Sequence, residues 1–224
     1  NRIGKVDYKI LASGIIAYKK AKETSLMLYK NVDDPWYQSC QTDEPIKHYY
    51  KFSRDRLITQ LTNINPKSIL DIGSGLGHVT EIIQNSLGCD VVGMDVSKVA
   101  VSRATDNFPN LKFKHGDIKN ENFIVEEKFD LIILNQLLWY VLDSFSNVFG
   151  NCFSSLKLNG NIVITQAFLS SNQKYGTDIC NGFHGLIDYL NIEEISSMFE
   201  VKYKNLDESN SYVHKDGLII LGKV

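Results

Sequence analysis

One stretch limits what this chain can become more than any other: Ser68-Ile-Leu-Asp-Ile-Gly-Ser-Gly-Leu-Gly-His78. Ser68 to Ile72 is short, apolar and rich in isoleucine, which reads as a buried strand. Gly73, Gly75 and Gly77 then arrive together, ahead of a helical pattern from His78 to about residue 87. Glycine lets the backbone adopt positive φ and lets a ligand come closer than any Cβ would allow, and the start of the next helix offers unpaired N–H groups. The spacing therefore predicts a strand, a tight turn and a helix, with a nucleotide-sized landing place between them.

From Lys67 onward, strands alternate with helices. Strands are expected at 68–72, 90–95, 111–115, 129–135, 160–166, 200–206 and 217–223, with helices at about 78–87, 97–107 and 137–157. Strands one, two, four and five are nearly continuous apolar runs, as parallel strands covered on both faces must be. The last two strands are separated only by the polar run Asp207 to Asp216, so they form a hairpin and one of them runs antiparallel. The expected architecture is α/β: a Rossmann-like, doubly wound sheet of seven strands, mostly parallel, with one antiparallel strand near the C-terminus. Its ligand crevice lies at the carboxyl ends of the strands. Residues 1–62 read as an N-terminal helical extension and 63–224 as the α/β domain. In the extension, Ile10, Leu11, Ile15 and Tyr18 recur at helical spacing. Asn31-Val-Asp-Asp-Pro35 breaks the pattern, and a second helix starts near Asp43 and Pro45 and runs to Leu61.

The second strand, Asp90-Val-Val-Gly-Met-Asp95, ends in an acid 20 residues beyond Gly75. Two readings stand for Asp95: an acceptor for both hydroxyls of a ribose lying across the turn, or a helix cap before Ser97. Taken together, Ile69-Leu-Asp-Ile-Gly-Ser-Gly-Leu-Gly77 and Val92-Gly-Met-Asp95 resemble the class I S-adenosylmethionine-dependent methyltransferases. A dinucleotide-binding fingerprint would place its third glycine at position 78, where this chain has His78. A Rossmann oxidoreductase is disfavoured for that reason, and because a carboxylate at Asp71 would repel a pyrophosphate.

The resemblance implies roles residue by residue. Asp71 helps hold the ligand's α-amino group, directly or through water, and Gly73, Ser74, Gly75 and Gly77 form the turn beneath the ligand. Asp95 and Val96 sit at the ribose. Asp117 and Ile118, in His115-Gly-Asp117-Ile118, reach the adenine, although Asp117 read alone is as easily a turn residue. Asn135 and Gln136, which close the fourth strand, meet the methionine amino group and open the next helix toward the acceptor. The implied cofactor is S-adenosyl-L-methionine. Because its methyl group is already activated, the protein's task is alignment, exclusion of water and, for some acceptors, removal of a proton.

Candidate proton acceptors are His184, His48, Tyr175 and Tyr140, each of which also has a plain reading as a surface or packing residue. Trp139 is either near the acceptor or ordinary helix core. Trp36, Tyr37, Tyr49, Tyr50 and Phe52 either form a lid over a sulfonium, with Tyr37 or Tyr50 touching the ligand, or staple the extension to the sheet.

Acceptor class rests on exclusions. Asn135-Gln-Leu-Leu138 lacks the Asn-Pro-Pro-Tyr pattern associated with nucleobase amines and glutamine side chains, and no Pro-Cys pair leaves the fourth strand as in cytosine C5 enzymes. A formal charge of −2 gives no reason to expect a nucleic-acid or anionic-membrane partner. Cys40, Cys89, Cys152 and Cys180 contain no C-x-x-C pair, so no metal site is expected. No stretch approaches the roughly 20 apolar residues that span a bilayer. The expectation is a cytoplasmic enzyme, monomer or homodimer, that methylates an N or O atom of a small molecule such as a sugar or amine metabolite. A protein or RNA methyltransferase of the same fold is the alternative, followed by a catalytically silent cofactor-binding subunit.

Overall fold

The computed structural model describes residues 28–36, 38, 39, 45–169, 173, 176–209 and 214–224. The helix expected on Ile10, Leu11, Ile15 and Tyr18 lies outside them, as do Tyr37, Cys40, Asp43 and Tyr175. In chain order the elements are α1 (Pro45–Ile64), β1 (Ser68–Ile72), α2 (His78–Leu87), β2 (Asp90–Asp95), α3 (Lys98–Asn107), β3 (Lys112–His115) and β4 (Phe129–Asn135). Two 3-10 turns follow, Leu138–Tyr140 and Leu142–Ser144. The chain then continues as α4 (Phe145–Ser155), β5 (Leu156–Leu169), α5 (Gly182–Leu190), α6 (Glu193–Ser196), β6 (Phe199–Asp207) and β7 (His214–Lys223). Among the described residues, no helix is long and apolar enough to cross a membrane.

The sheet has seven strands in the order β3-β2-β1-β4-β5-β7-β6. Five strands pair in parallel, and β7 inserts antiparallel between β5 and β6. The order reverses between β1 and β4, which opens a crevice at their carboxyl ends. Period-two alternation sorts side chains to the two faces. Ile69, Leu131, Ile133, Val163, Leu218 and Ile220 pack under Leu57 and Leu61 of α1 and Val79 and Ile83 of α2. Leu70, Ile72, Ile132, Leu134, Ile162 and Ile164 face the opposite layer, built on α4 and α5. In α4 the buried residues Phe145, Val148, Phe149 and Cys152 recur every three or four positions, which fixes the face that docks. Full burial of a side chain such as Phe149 contributes roughly 2–3 kcal/mol.

Three expectations need correction. The helix expected over 137–157 is not continuous. Gln136 adopts φ 55°, the Leu138 N–H donates to Gln166 Oε1 at 2.9 Å, and Trp139 Nε1 donates to the Ala167 carbonyl at 2.9 Å. These bonds tie the segment to β5, so regular helix begins only at Phe145. The fifth strand is longer than expected, running from Leu156 to Leu169: the backbone is extended from Leu156, directly after α4, and Asn159 at φ 60° falls within the register shift against β4. Two helices, α5 and α6, occupy the stretch between β5 and β6, where no helix was placed from the sequence.

Candidate active site

The glycine turn has the conformation its sequence demands: Gly73, Gly75 and Gly77 lie at φ 80°, 54° and 84°. The N–H groups of Gly73 and Ser74 both donate to the Met94 carbonyl, at 2.7 and 3.0 Å, fastening the turn to the end of β2. A side chain at Gly75 would also collide with Gln38 and Tyr29, whose polar atoms stand 2.6 and 2.7 Å from the place of a Cβ.

Asp95 makes the contact its helix-start reading requires, and it lines the crevice where its ribose reading would need it. One carboxylate oxygen accepts from the Gly75 N–H at 2.9 Å and the other from the Ser97 N–H at 2.8 Å. Ser97 in turn caps α3, accepting from the Ala100 N–H at 3.2 Å. The carboxylate therefore fixes the turn and the helix start while also lining the crevice. Burial raises its pKa, opposed by the two N–H bonds. Asp71 is more deeply placed. It is fully buried beneath the turn, accepts from Thr80 Oγ1 at 2.6 Å, and burial pushes its carboxyl up to about 6. It supports the turn and does not line the crevice.

Of the other expected residues, Gly73, Val96, Asp117, Ile118, Asn135, Gln136, Tyr50 and Tyr140 all line this crevice. Asp117 accepts from the Lys119 N–H at 3.1 Å in a tight turn, and Asn135 Oδ1 accepts from Thr165 Oγ1 at 2.6 Å. Ser74, Gly75 and Gly77 do not line it. The Ser74 hydroxyl is buried with no hydrogen-bond partner, and the two glycines serve through backbone shape. Gln136 is a clamp. Its Nε2 donates to the Tyr49 and Ser53 hydroxyls at 3.3 and 3.2 Å, and its Oε1 accepts from the Ala167 N–H at 2.8 Å.

The candidate bases fare differently. Tyr140 faces the crevice edge-on to Trp36, ring centroids 5.7 Å apart, but burial raises its phenol pKa and keeps it a neutral hydroxyl. His184 is exposed on α5. The buried face of that helix is Phe183, Leu186, Ile187 and Leu190, so position 184 points away from the crevice. His48 is likewise exposed on α1. Trp139 is packing: it stands edge-on to Phe168 with centroids 5.5 Å apart.

The described part of the extension acts both as staple and as cover. On α1, Tyr49, Ser53, Leu57 and Leu61 recur every fourth residue and are buried. The Tyr49 hydroxyl donates to Asp216 Oδ1 at 2.9 Å, and the Arg56 guanidinium forms a short ion pair with the same fully buried carboxylate. The neighbouring stripe, Tyr50, Ser53 and Arg54, lines the crevice together with Tyr29, Trp36 and Gln38 from the segment above it. That segment is fastened from below by Arg103 of α3, which donates to the carbonyls of Tyr29, Val32 and Asp33 at 3.0, 2.9 and 2.5 Å. Tyr29, Gln38, Arg54 and Lys119 were not anticipated as site residues. Docking of the extension brings the first three to the strand ends, while Lys119 comes with Asp117 and Ile118 at the β3 exit.

The crevice thus presents two carboxylates at successive strand tips, several aromatic faces and one arginine. That set suits an adenosine joined to a cation. Comparison with known proteins agrees. Residues 69–160 match the family described as methyltransferase domain. Over 107 residues the chain is 32% identical to the phosphoethanolamine N-methyltransferase of Plasmodium falciparum, covering 46% of this chain and 40% of that protein. Over 105 residues it is 30% identical to the ribosomal protein L11 methyltransferase of Lactobacillus johnsonii, covering 46% and 32%. The chain therefore spans less than half the length of these curated relatives. The fold is similar to that of the N-methyltransferase NodS from Bradyrhizobium japonicum, solved with S-adenosyl-L-homocysteine, with TM-score 0.63, 20% identity and coverage of 89% and 97%.

Proposed function

We propose that the chain, whose residues 69–160 match a methyltransferase domain, is an S-adenosylmethionine-dependent methyltransferase that methylates an N or O atom of a small-molecule acceptor. The observation that carries this reading is the crevice at the β1, β2, β3 and β4 ends, where Asp95 and Asn135 close their strands and Asp117 follows β3, under a cover of aromatic residues.

The donor set fits the cofactor. Asp95 keeps lone pairs for ribose hydroxyls beyond its two backbone bonds. Asp117 and the Ile118 backbone suit the amino group and ring of adenine. Tyr29, Trp36, Tyr50 and Tyr140 offer π faces to a positive sulfur. When bound, S-adenosylmethionine supplies a methyl group already activated toward displacement. The chain's own residues hold the adenosine, orient the acceptor and exclude water. The neutral hydroxyl of Tyr140 lines the crevice and is suited to hydrogen-bonding a compact substrate. A cover that closes directly over the strand ends favours a metabolite over a folded macromolecule. The proposal includes action in the cytoplasm by a monomer or homodimer, without nucleic acid.

The test is incubation with methyl-labelled S-adenosylmethionine and separated metabolite and macromolecular fractions of an extract. Label in the metabolite fraction is expected. Label confined to protein or RNA would replace this acceptor class with the alternative one, and absence of transfer to either fraction would overturn the catalytic reading.

A further inference from the structure

Every backbone donor of the glycine turn is already engaged. The Gly73 and Ser74 N–H groups donate to the Met94 carbonyl, the Gly77 N–H to the Ser74 carbonyl and the Gly75 N–H to Asp95. These bonds join β1, the turn and β2, and they hold the turn's own shape. The Leu76 N–H is different: it donates to Gln38 Oε1 at 3.0 Å, and that acceptor comes from the covering segment, 38 positions away. This bond can break without taking a support from the turn. Gln38 and Tyr29 also fill the space directly above Gly75, with polar atoms 2.6 and 2.7 Å from where a Cβ would stand. That space is where a missing Cβ gives a ligand its closest approach. Gln38 and Tyr29 line the crevice there, and Gly75 beneath them does not.

The two ends of the covering segment are held differently. At one end Arg103 of α3 donates to three carbonyls, those of Tyr29, Val32 and Asp33. At the other, Asp34 accepts from the N–H groups of Gln38 and Ser39 and from the Ser39 hydroxyl, so this end is a stiff local turn. It meets the glycine turn through one side chain, that of Gln38. From this geometry we infer that Gln38 is autoinhibitory: its amide stands on the glycine turn in place of a ligand, and a ligand enters as Gln38 gives up the Leu76 N–H while Arg103 keeps the far end of the segment in place. The inference rests on the proposed cofactor for its probe and goes beyond it by giving the crevice a closed state. Gating and simple covering have opposite consequences. A residue that only covers the ligand adds contacts to it, so its removal speeds dissociation. A residue that occupies the landing place lowers the apparent affinity by the fraction of chains that are open, so its removal speeds association.

The test is surface plasmon resonance with immobilised parent chain, Gln38→Ala and Gln38→Asn, and S-adenosylhomocysteine as the probe, with circular-dichroism melts to show that each chain is folded. Gln38→Asn keeps the amide but is one methylene too short to reach the Leu76 N–H, so it tests the same contact if Gln38→Ala does not fold. The expected result is association faster by ~10-fold or more in either variant and tighter binding, with dissociation changed less. Unchanged or slower association overturns the inference, as does weaker binding through faster dissociation, which would make Gln38 a ligand contact. Failure of the parent and both folded variants to bind S-adenosylhomocysteine removes the cofactor reading itself, and that result is distinct from any difference between the chains.

Discussion

Asp71 shows how a single residue can be visible in sequence and still have its environment decided elsewhere. Its place before the glycine turn is plain from the chain, but its full burial beside Thr80 depends on α2 closing over β1. Burial raises the folded-state pKa to about 6 from an ordinary 3.8. Between those values the unfolded chain has released its proton while the folded chain retains it. Stability from this group is therefore present at low pH and is lost as pH rises through the window. At 1.36 kcal/mol per pH unit the loss approaches about 3 kcal/mol by pH ~6.5. Urea unfolding of the parent chain and Asp71→Asn from pH 4 to 7 checks this. The parent should lose stability relative to the variant across that range and level off above it, and a pH-independent difference would refute the assignment.

The behaviour of α1 belongs to the element scale. Its every-fourth-residue stripe predicts a docked helix, yet the sequence does not reveal that Asp216, 160 positions beyond Arg56, is its charged partner. The carboxylate is wholly buried, and it also accepts from Tyr49. Removing only the cation leaves an uncompensated buried charge. Arg56→Met should accordingly cost ~3–5 kcal/mol, and the paired change Arg56→Met with Asp216→Leu should recover much of that loss. Denaturant midpoints of the two single variants and the double variant decide it; additive losses would mean the pair is not coupled. The same element scale explains the broken helix after β4. Helical periodicity from Leu137 onward was readable, but the bonds from Leu138 and Trp139 to β5 come from residues nearly thirty positions away, and they outcompete the first helical turns.

For the whole molecule, the crevice is a junction of β1, β2, β4, the β3 exit and the docked extension, so a ligand there bridges parts of the chain that separate on unfolding. S-adenosylhomocysteine at about 100 times its dissociation constant should stabilise the protein by ~2.7 kcal/mol through linkage. Thermal melts with and without the ligand measure this, and unchanged melting at saturation would refute binding to the folded state. The strand succession, the single antiparallel strand and the glycine turn with Asp95 and Asp117 were all legible in the chain, because each is written in local periodicity, local backbone freedom or a spacing along one βαβ unit. The sequence by itself therefore determined the class of fold and the strand-tip half of the site. Only the tertiary structure decided that Tyr29, Gln38 and Arg54 cover that site, that Gln136 is spent clamping α1 to β5, and that His184 faces solvent. Those outcomes depend on contacts between distant segments, where packing and burial, rather than any neighbour in sequence, choose which side chain meets the crevice.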